Sequence, residues 1–390
     1  MMSSLGLNGW GRLALLLGFS SVLSNVRGAH ANDTALAVSV ATHARPDNAR
    51  RTEVFVPFGP TSVGGTDHYS YRFEGHVHTA YSPDARHRVL DVLGAAEELG
   101  LDALIITDHG GSAAQSEFAN YHGKLLPFVG REIGGDFGHA LFWNVTADDS
   151  HTKSTLSQRA RFAHKHDGLL IFAHPGWWIE GNGRDPMEWM SVQAMRRGGI
   201  AGDVDAIELW NGVYRTPLPR LINAWVKLLE AGVYVPIVGN SDFHNFAMHQ
   251  LGHAHNLAFC ERPEPASCLW SAVREGRLVI TDGPAAALSV NGKLPGSIVD
   301  PAGAALKVAI DALAPDGGTL RVYLGKQVVR TVELTPGVRS RSDFELAAPG
   351  ADTFVRMDIA RPQPHSVAQT PVSLLSNPVL IDVGEPRSWR

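Results

Sequence analysis

The sequence is poor in cysteine, in excess charge of either sign and in long apolar runs. Its 390 residues include two cysteines, Cys260 and Cys268, and neither has the Cys-x-x-Cys spacing of a metal or redox site. Their separation in the sequence allows either one small-loop disulfide or two buried thiols. The net charge of -5 gives the chain no electrostatic reason to wrap a nucleic-acid backbone, so no nucleic-acid partner is expected.

An apolar run at residues 13–23 is too short to cross a hydrocarbon layer of roughly 30 Å as a helix. Arg12 precedes this run, and the small residues Ala29 and Ala31 follow it, which is typical of a cleaved secretory signal. Residues 1–31 are therefore predicted to be a signal peptide of a periplasmic or secreted protein, with an uncleaved anchor as the alternative. No later run is long and apolar enough to be transmembrane, so no stable membrane insertion is expected after cleavage.

From residue 71 the sequence alternates between strand-like and helix-like segments. The strand-like segments are 71–78, 102–107, 125–131, 139–145, 168–173, 205–210 and 234–238, and the helix-like segments are 88–99, 156–166, 186–197 and 218–230. This alternation predicts a parallel sheet with crossover helices. Seven such units favour a closed barrel, so the predicted fold class is α/β, a distorted (β/α)7 TIM-like barrel with its chemistry at the C-terminal strand ends.

After about Thr281 the sequence changes to short alternating apolar runs separated by Gly, Pro and Asp, which predicts an all-β sandwich. This part carries a single histidine, His365, and no cluster of titratable groups, so a supporting or docking role is expected of it. The predicted domains are a signal peptide at 1–31, a leader and edge strand at 32–69, a barrel domain at 70–284 and a β-sandwich accessory domain at 285–390.

Residue types that bind metals recur near the predicted strand ends. Fifteen of the 18 histidines lie between His68 and His255. His76 and His78 are two residues apart, so on a strand both imidazoles project from the same face and can bind one ion. Glu132 stands in the middle of the set, where a carboxylate is suited to bridge paired ions. The remaining candidate ligands are Asp84, His109, His139, His174, Asp242 and His244. The pattern is typical of a metal hydrolase.

Five ordered motifs resemble the PHP (polymerase and histidinol phosphatase) superfamily of metal-dependent phosphoesterases. Its opening His-x-His-Thr-x-x-Ser motif is matched at residues 76–82, and its Thr-Asp-His motif at 107–109. A glutamate after a strand, a His-Pro after a later strand and a final Ser-Asp-x-His are matched by Glu132, by residues 174–175 and by residues 241–244. The resemblance covers the predicted barrel domain and implies the PHP fold.

The resemblance also implies a ligand set for up to three divalent ions, with zinc, manganese or iron suited to mixed imidazole and carboxylate ligands. The first ion would be held by His76, His78, Glu132 and Asp242, the second by Glu132, His139 and His174, and the third by Asp84, His109 and His244. Other members carry histidine where this chain has Asp84. Catalytic roles are expected of Glu132, Asp242, His174 and Arg131, where Arg131 either clamps an anionic oxygen or forms a structural ion pair.

The expected function is that of an exported hydrolase that cleaves a small-molecule ester, most readily a phosphoester, with a hydroxide held by the ions. Residues 272–284 and the β-rich tail resemble the carbaryl-hydrolase-like branch of the superfamily. A carbamate or carboxyl ester hydrolase is therefore the alternative, and a non-catalytic metal- or ligand-binding protein is the remote alternative. The sequence leaves the oligomeric state open.

Other residues near the predicted centre have more than one interpretation. Asp108 is expected to orient a histidine ligand from behind. Three histidines after the last motif line the mouth of the site, support the ligands from behind, or lie at the surface: His249, His253 and His255. Five residues line a substrate pocket or pack the barrel against its helices: Trp177, Trp178, Trp210, Asn211 and Tyr214.

Overall fold

The computed structural model describes residues 55, 57–135, 137–147, 155–175, 188–197, 199–213, 217–247, 251–263, 265–365 and 370–384. The predicted signal peptide, the leader up to residue 54 and most of the predicted edge strand at 53–57 lie outside these residues. Trp177, Trp178, Tyr214 and His249 also lie outside them. Within the described residues, no helix has the length and apolar character needed to span a membrane.

The described chain begins with two strands and then contains both helices and strands up to the last helix. After that helix only strands follow. The strands are β1 (Thr61–Val63), β2 (Thr66–Val77), β3 (Ala103–Ile106), β4 (Leu126–Gly135), β5 (Gly138–Trp143), β6 (Leu169–Ala173), β7 (Ala206–Asn211), β8 (Ile237–Asn240), β9 (His255–Cys260), β10 (Leu278–Thr281), β11 (Ala285–Val290), β12 (Ile298–Val299), β13 (Leu306–Leu313), β14 (Gly318–Leu324), β15 (Gln327–Leu334), β16 (Ser340–Leu346), β17 (Thr353–His365), β18 (Thr370–Ser376) and β19 (Val379–Ile381). The helices are α1 (Val89–Glu98), α2 (Leu156–Lys165), α3 (Val192–Arg197), α4 (Ile200–Asp203), α5 (Leu218–Glu230) and α6 (Pro265–Glu275), and a 3-10 segment spans Ala113–Asn120.

The segments predicted from periodicity are largely confirmed, but two begin later than expected: the strand predicted at 234–238 begins at Ile237, and the helix predicted at 186–197 begins at Val192. All seven strand-like segments of the barrel region appear as β2 to β8, and the helix-like segments appear as α1, α2, α3 and α5. The part of the third helix-like segment before residue 188 lies outside the described residues. Before the C-terminal strands, six elements were not predicted: β1, the 3-10 segment, α4, β9, α6 and β10. His255 and Asn256 place two polar side chains at the start of β9, which hides the apolar character of that buried strand.

The barrel strands form a strongly curled sheet in the order β9-β2-β3-β4-β5-β6-β7-β8. β2, β3 and β4 run parallel, and so do β6, β7 and β8. β5 runs antiparallel to both of its neighbours, so the prediction of one all-parallel set was wrong. The reason is the connection between β4 and β5. Gly135 pairs with Gly138 in a hairpin, whereas a parallel crossover needs a dozen or more residues.

Asparagine side chains connect β8 to the other end of the curled sheet. The Asn256 carboxamide accepts from Gly239 N at 2.9 Å and donates to Gly239 O at 2.8 Å. Asn240 Oδ1 accepts from Gly75 N at 2.8 Å. Asn377, which follows β18, bonds both backbone groups of Ile237 in the same way. These contacts bring the end of β8 next to β2. The closed barrel of seven β/α units stays a prediction.

The C-terminal strands form a β domain of two sheets around one apolar core. One sheet has the order β11-β13-β16, and the other contains β14, β15, β17, β18, β19 and β12. β18 also pairs with β10, so the second sheet continues into the barrel sheet. Phe58 and Val63, which precede the barrel in sequence, are buried in the same core as Leu306 and Val308. The boundary between residues 284 and 285 stays a prediction.

The two cysteines form a disulfide, which decides between the alternatives that the sequence left open. Cys260 ends β9 and Cys268 lies in α6, with their Cα atoms 5.8 Å apart. The bond therefore attaches α6 to the strand that it covers.

Asp311 of β13 joins the N-terminal segment to the β domain. It accepts hydrogen bonds from Thr61 Oγ1 at 3.0 Å and from Arg339 Nε at 2.7 Å. Burial raises the pKa of Asp311, but the hydrogen bonds and charge of Arg339 outweigh burial and lower that pKa below its ordinary value. Because the folded-state pKa is the lower one, Asp311 stabilises the fold above about pH 4, and the contribution is lost as the pH falls below that value.

We expect Asp311→Asn to lower the free energy of unfolding by about 1–2 kcal/mol at pH 7, and by less at pH 3. Urea denaturation at the two pH values measures both differences. Asp343→Asn, at an exposed position of β16, is the control and should change stability by less than about 0.5 kcal/mol. A deficit in Asp311→Asn that is as large at pH 3 as at pH 7 would contradict the ionic role of this carboxylate.

Candidate metal centre

His76 and His78 begin the centre from adjacent positions on one face of β2. Both side chains are fully buried, and their rings lie 5.2 Å apart between centroids. His76 Nδ1 lies 3.0 Å from Glu208 Oε1, and His78 Nδ1 lies 2.9 Å from Ser82 Oγ. Since the Nδ1 atoms are occupied in this way, the Nε2 atoms of both rings face the carboxylates of Glu132 and Asp242.

The carboxylate of Glu132 lies among five imidazoles. Oε2 lies 3.2 Å from His76 Nε2, 3.2 Å from His78 Nε2 and 3.4 Å from His109 Nε2, whereas Oε1 lies 2.5 Å from His139 Nδ1 and 3.0 Å from His174 Nε2. β4 places this residue there, and Glu132 N donates to Thr107 O at 2.9 Å, which fixes it beside the end of β3. Its two oxygens therefore face two different sets of ligands, as a bridging carboxylate requires.

The structure brings all nine predicted ligands together. They fall into three of four groups of side chains whose potential ligand atoms lie within 4.8 Å of one another: His76, His78, Glu132 and Asp242; Glu132, His139 and His174; and His78, Asp84, His109 and His244. Two ligands, His174 and Asp242, have positive φ angles of 26° and 53°, just past the ends of β6 and β8. Such backbone costs about 1–3 kcal/mol for a residue other than glycine. The surrounding contacts therefore hold both residues in place against that cost.

The residues of the first group fit a bound cation. His76 Nε2, His78 Nε2 and Asp242 Oδ1 are buried and make no hydrogen bond among the described residues. Asp242 Oδ1 lies 3.3 Å and 3.4 Å from the two nitrogens. Ligands at about 2.0–2.1 Å from one tetrahedral ion are separated by about 3.3–3.4 Å. Buried polar atoms left without a partner cost about 1–3 kcal/mol each, and a cation would remove that cost.

The charges of the centre also suit cations. Burial alone would raise the pKa of Glu132, but His76, His139 and His174 outweigh burial and hold that pKa well below its usual range. For Asp242, too, burial raises the pKa, and His76 and His78 outweigh it. Both carboxylates therefore stay ionised at neutral pH, as metal ligands must.

Access to solvent differs between the groups. The side chains of His76 and His78 have no exposed surface, whereas that of Asp84 is 47% exposed and that of His109 is 26% exposed. His244 Nε2 lies 3.2 Å from Asp84 Oδ2 on this outer side. A ligand from solution therefore reaches the centre from the side of Asp84 and His109.

Arg131 adjoins Glu132 in the sequence, but its side chain contacts other residues. Successive residues of a strand point to opposite faces, so Arg131 lies on the other face of β4 from Glu132. Its Nη2 donates to Ala147 O at 2.7 Å, and its guanidinium lies 5.1 Å from the ring centroid of Phe142. These contacts favour a structural role for Arg131, and the catalytic role expected from the sequence stays a prediction.

The structure also places Asp108, His253 and His255, for which the sequence offered more than one interpretation. Asp108 accepts from Thr79 N at 2.6 Å and from Thr79 Oγ1 at 2.7 Å, so it holds the turn after His78 and not a histidine ring. His253 and His255 are buried, and they lie 3.0 Å from Asp282 Oδ2 and 2.6 Å from Arg72 Nη1, respectively. Neither one is a surface histidine.

Of the predicted pocket residues, Trp210 and Asn211 lie within the described residues, and both are buried. The Trp210 ring packs edge-on against the His253 ring. Asn211 Nδ2 donates to Asp242 Oδ2 at 3.1 Å. Both therefore belong to the packing of the centre and not to a substrate pocket.

Two buried glutamates were not predicted. Glu208 of β7 contacts His76 as described above. Glu74 of β2 accepts from Ser241 N at 2.9 Å and from Gly252 N at 2.7 Å, and burial raises the pKa of Glu74 to about 8 although these hydrogen bonds lower it. In the sequence, Glu208 is the only acid of β7, where its neighbours Ile207 and Leu209 are apolar, and Glu74 lies in the half of β2 that is buried throughout. A charged residue in a buried strand needs a partner, and that signal was available from the sequence.

The comparison with protein families matches residues 74–237 to the PHP domain. Asp242 and His244 lie beyond the matched range but complete the groups in the structure. No curated protein matches the chain in sequence.

The comparison with solved structures includes three matches of low sequence identity. A two-domain protein from Bacteroides vulgatus, containing a predicted PHP-like metal-dependent phosphoesterase, is 14% identical with a TM-score of 0.49, over 86% of this chain and 100% of that one. A protein from Bifidobacterium adolescentis named as a metal-dependent phosphoesterase is 16% identical with a TM-score of 0.34, over 46% and 90%. An amidohydrolase from Chromobacterium violaceum is 14% identical with a TM-score of 0.37, over 53% and 96%. The family comparison thus identifies a PHP domain in residues 74–237 of this chain.

Proposed function

We propose that the chain is an exported, multinuclear metal-dependent hydrolase that cleaves phosphoester bonds in small molecules. The observation that carries this proposal is the Glu132 carboxylate, whose two oxygens face two different sets of imidazoles. The sequence motifs that resemble the phosphoesterases of the PHP superfamily favour phosphoesters over other esters.

In this proposal two to three ions of zinc, manganese or iron are held by the three ligand groups described above. Divalent ions bound there would lower the pKa of a water molecule and polarise an oxygen of the substrate. Glu132 links the first two groups, Asp242 supplies charge to the first, and His174 completes the second. These three residues are the ones on which activity depends most.

The difference in solvent access indicates how a substrate is oriented. The exposed Asp84 and the partly exposed His109 face solution, and the buried His76 and His174 close the inner side. A substrate therefore presents its ester group from the outer side and displaces solvent there. The inner carboxylates stay shielded from water, which strengthens their interaction with cations.

Two observations support export. Residues 1–31 have the composition of a secretory signal. Cys260 and Cys268 form a disulfide, and such bonds persist mainly in oxidising compartments such as the periplasm.

The test is a substrate panel of p-nitrophenyl phosphate, bis-p-nitrophenyl phosphate, p-nitrophenyl acetate and an aryl methylcarbamate. We expect metal-loaded wild type to hydrolyse at least one phosphoester. His174→Ala should lower that kcat/KM by about 100-fold or more, because several kcal/mol of stabilisation by the metals is lost. His122→Ala, at an exposed position outside the centre, is the matched control and should keep full activity.

The panel separates the proposal from its alternatives. Carbamate or carboxyl ester turnover without phosphoester turnover would favour the carbaryl-hydrolase-like alternative. Metal binding without turnover of any of the four substrates would favour a non-catalytic binding protein.

A further inference from the structure

Glu208 is a fully buried carboxylate between the first and second ligand groups. It lies on β7 and accepts four hydrogen bonds, two on each oxygen. Oε1 accepts from His76 Nδ1 at 3.0 Å and from Asn240 Nδ2 at 2.7 Å, and Oε2 accepts from His174 N at 3.0 Å and from Asn211 Nδ2 at 2.9 Å. One side chain thus contacts residues that follow or belong to β2, β6, β7 and β8.

The bond to His76 determines which nitrogen of that ring carries the proton. A carboxylate only accepts, so Nδ1 of His76 must be the donor. Nε2 then keeps its lone pair and points toward Glu132 and Asp242, at 3.2 Å and 3.3 Å. Glu208 therefore holds His76 in the tautomer that a metal ligand needs.

The other contacts of Glu208 extend to the second group and to Asp242. The backbone N–H of His174 is bonded to Oε2 at a residue whose φ is positive, so this hydrogen bond helps to hold the strained turn. Asn211 Nδ2 donates both to Glu208 Oε2 and to Asp242 Oδ2, at 2.9 Å and 3.1 Å. Displacement of Glu208 would therefore move ligands of two groups together.

Glu208 could instead be a ligand, since it forms a further group of potential ligand atoms with His76 and His174. The hydrogen bonds argue against that role. Each oxygen already accepts two donors, which uses the lone pairs that an ion would need. The 3.0 Å between Oε1 and His76 Nδ1 is also an ordinary hydrogen-bond length.

We propose that Glu208 is a positioning residue that aligns His76, His174 and Asp242 and thereby couples the first two ion sites. This inference rests on the proposed function, because it presumes that those sites hold ions. Glu208→Gln removes the negative charge and replaces one carboxylate oxygen by an NH2 group. That NH2 group is a donor, yet it would face two of the four groups that donate hydrogen bonds to Glu208. Outer partners of this kind change metal affinity by about 10- to 100-fold.

The experiment measures zinc stoichiometry by elemental analysis, zinc affinity by competition with a chromophoric chelator, and the visible spectrum of the cobalt(II)-substituted protein. We expect Glu208→Gln to lower the affinity of the protein for two zinc ions by about 10- to 100-fold and to change the visible spectrum of the cobalt(II) protein. Asp205→Asn is the matched control. Asp205 precedes β7 at its opposite end and also accepts from a histidine and a backbone N–H, at 2.9 Å and 2.8 Å. The Asp205→Asn variant should keep the wild-type zinc affinity and the wild-type cobalt spectrum.

Melting in EDTA shows whether each metal-free variant is folded at the temperature of the titration. If Glu208→Gln does not fold, Glu208→Asp retains the charge while drawing the oxygens back from His76, and it should bind zinc more weakly than wild type does. If a folded Glu208 variant keeps the wild-type zinc affinity and cobalt spectrum, the inference about Glu208 is wrong, while the proposed function is unaffected. A wild type that binds fewer than two ions would instead overturn the proposed function.

Discussion

Replacement of Glu132 by glutamine is expected to release two ions together. The carboxylate faces His76 and His78 with one oxygen and His139 and His174 with the other, so its charge serves both groups. Glutamine has nearly the same volume as glutamate, but it offers one neutral oxygen in place of two that share a negative charge. We expect the metal content to fall by two ions per chain and phosphoester kcat/KM to fall by about 1,000-fold or more, because stabilisation by both ions is lost. Elemental analysis and steady-state kinetics measure the two effects.

Glu261→Gln, at an exposed position after β9, is the control for this substitution and should retain both metal and activity. The loss of a single ion from Glu132→Gln, with the other ions retained at wild-type affinity, would show that Glu132 is not a bridge.

Substitution of Gly75 by alanine is expected to be strongly destabilising. A Cβ atom at Gly75 would lie 2.2 Å from Trp143 Cζ2 and 2.6 Å from Trp143 Cε2. The Trp143 ring is fully buried, and its Nε1 donates to Gly75 O at 2.7 Å, so the ring has little freedom to move away. β2 is equally constrained, because it pairs with β3 and β9. We expect a loss of about 3 kcal/mol or more in the free energy of unfolding, the upper end for overpacked cores.

Urea denaturation in EDTA measures this effect without any contribution from metal. Gly94→Ala in α1 is the matched control, because no atom lies within 4 Å of its Cβ position. It should leave stability unchanged or raise it by up to about 1 kcal/mol. Equal stability of Gly75→Ala and wild type would mean that Trp143 can reorient, contrary to the packing described here.

Much of the fold and of the candidate site could be predicted because the relevant signals are local. Two-residue spacing placed His76 and His78 on one face, and apolar periodicity located β2 to β8. The same local rule, applied to Arg131, places its side chain on the opposite face of β4 from Glu132. The direction of β5 was likewise available from the length of its hairpin.

The remaining features depend on contacts between distant segments. Asn256 replaces a backbone partner for Gly239, and Asn377 does so for Ile237, 140 residues away. Nothing in the neighbourhood of an asparagine in the sequence indicates such a role. The hydrogen bonds of Glu208 also come from four separate segments, so the sequence could suggest that this acid needs partners but could not identify them.

The burial of Phe58 and Val63 in the C-terminal core bears on the order of folding. Thr61 and Asp311 are hydrogen-bonded across 250 residues of sequence, and the barrel domain lies between them. Closing so long a loop lowers the entropy of the chain before the contact contributes any stabilisation. Such contacts therefore form late in folding. A growing chain also lacks the partner until residue 311 has been made. The segment around Thr61 is therefore synthesised early, yet we expect it to be among the last to acquire its native contacts.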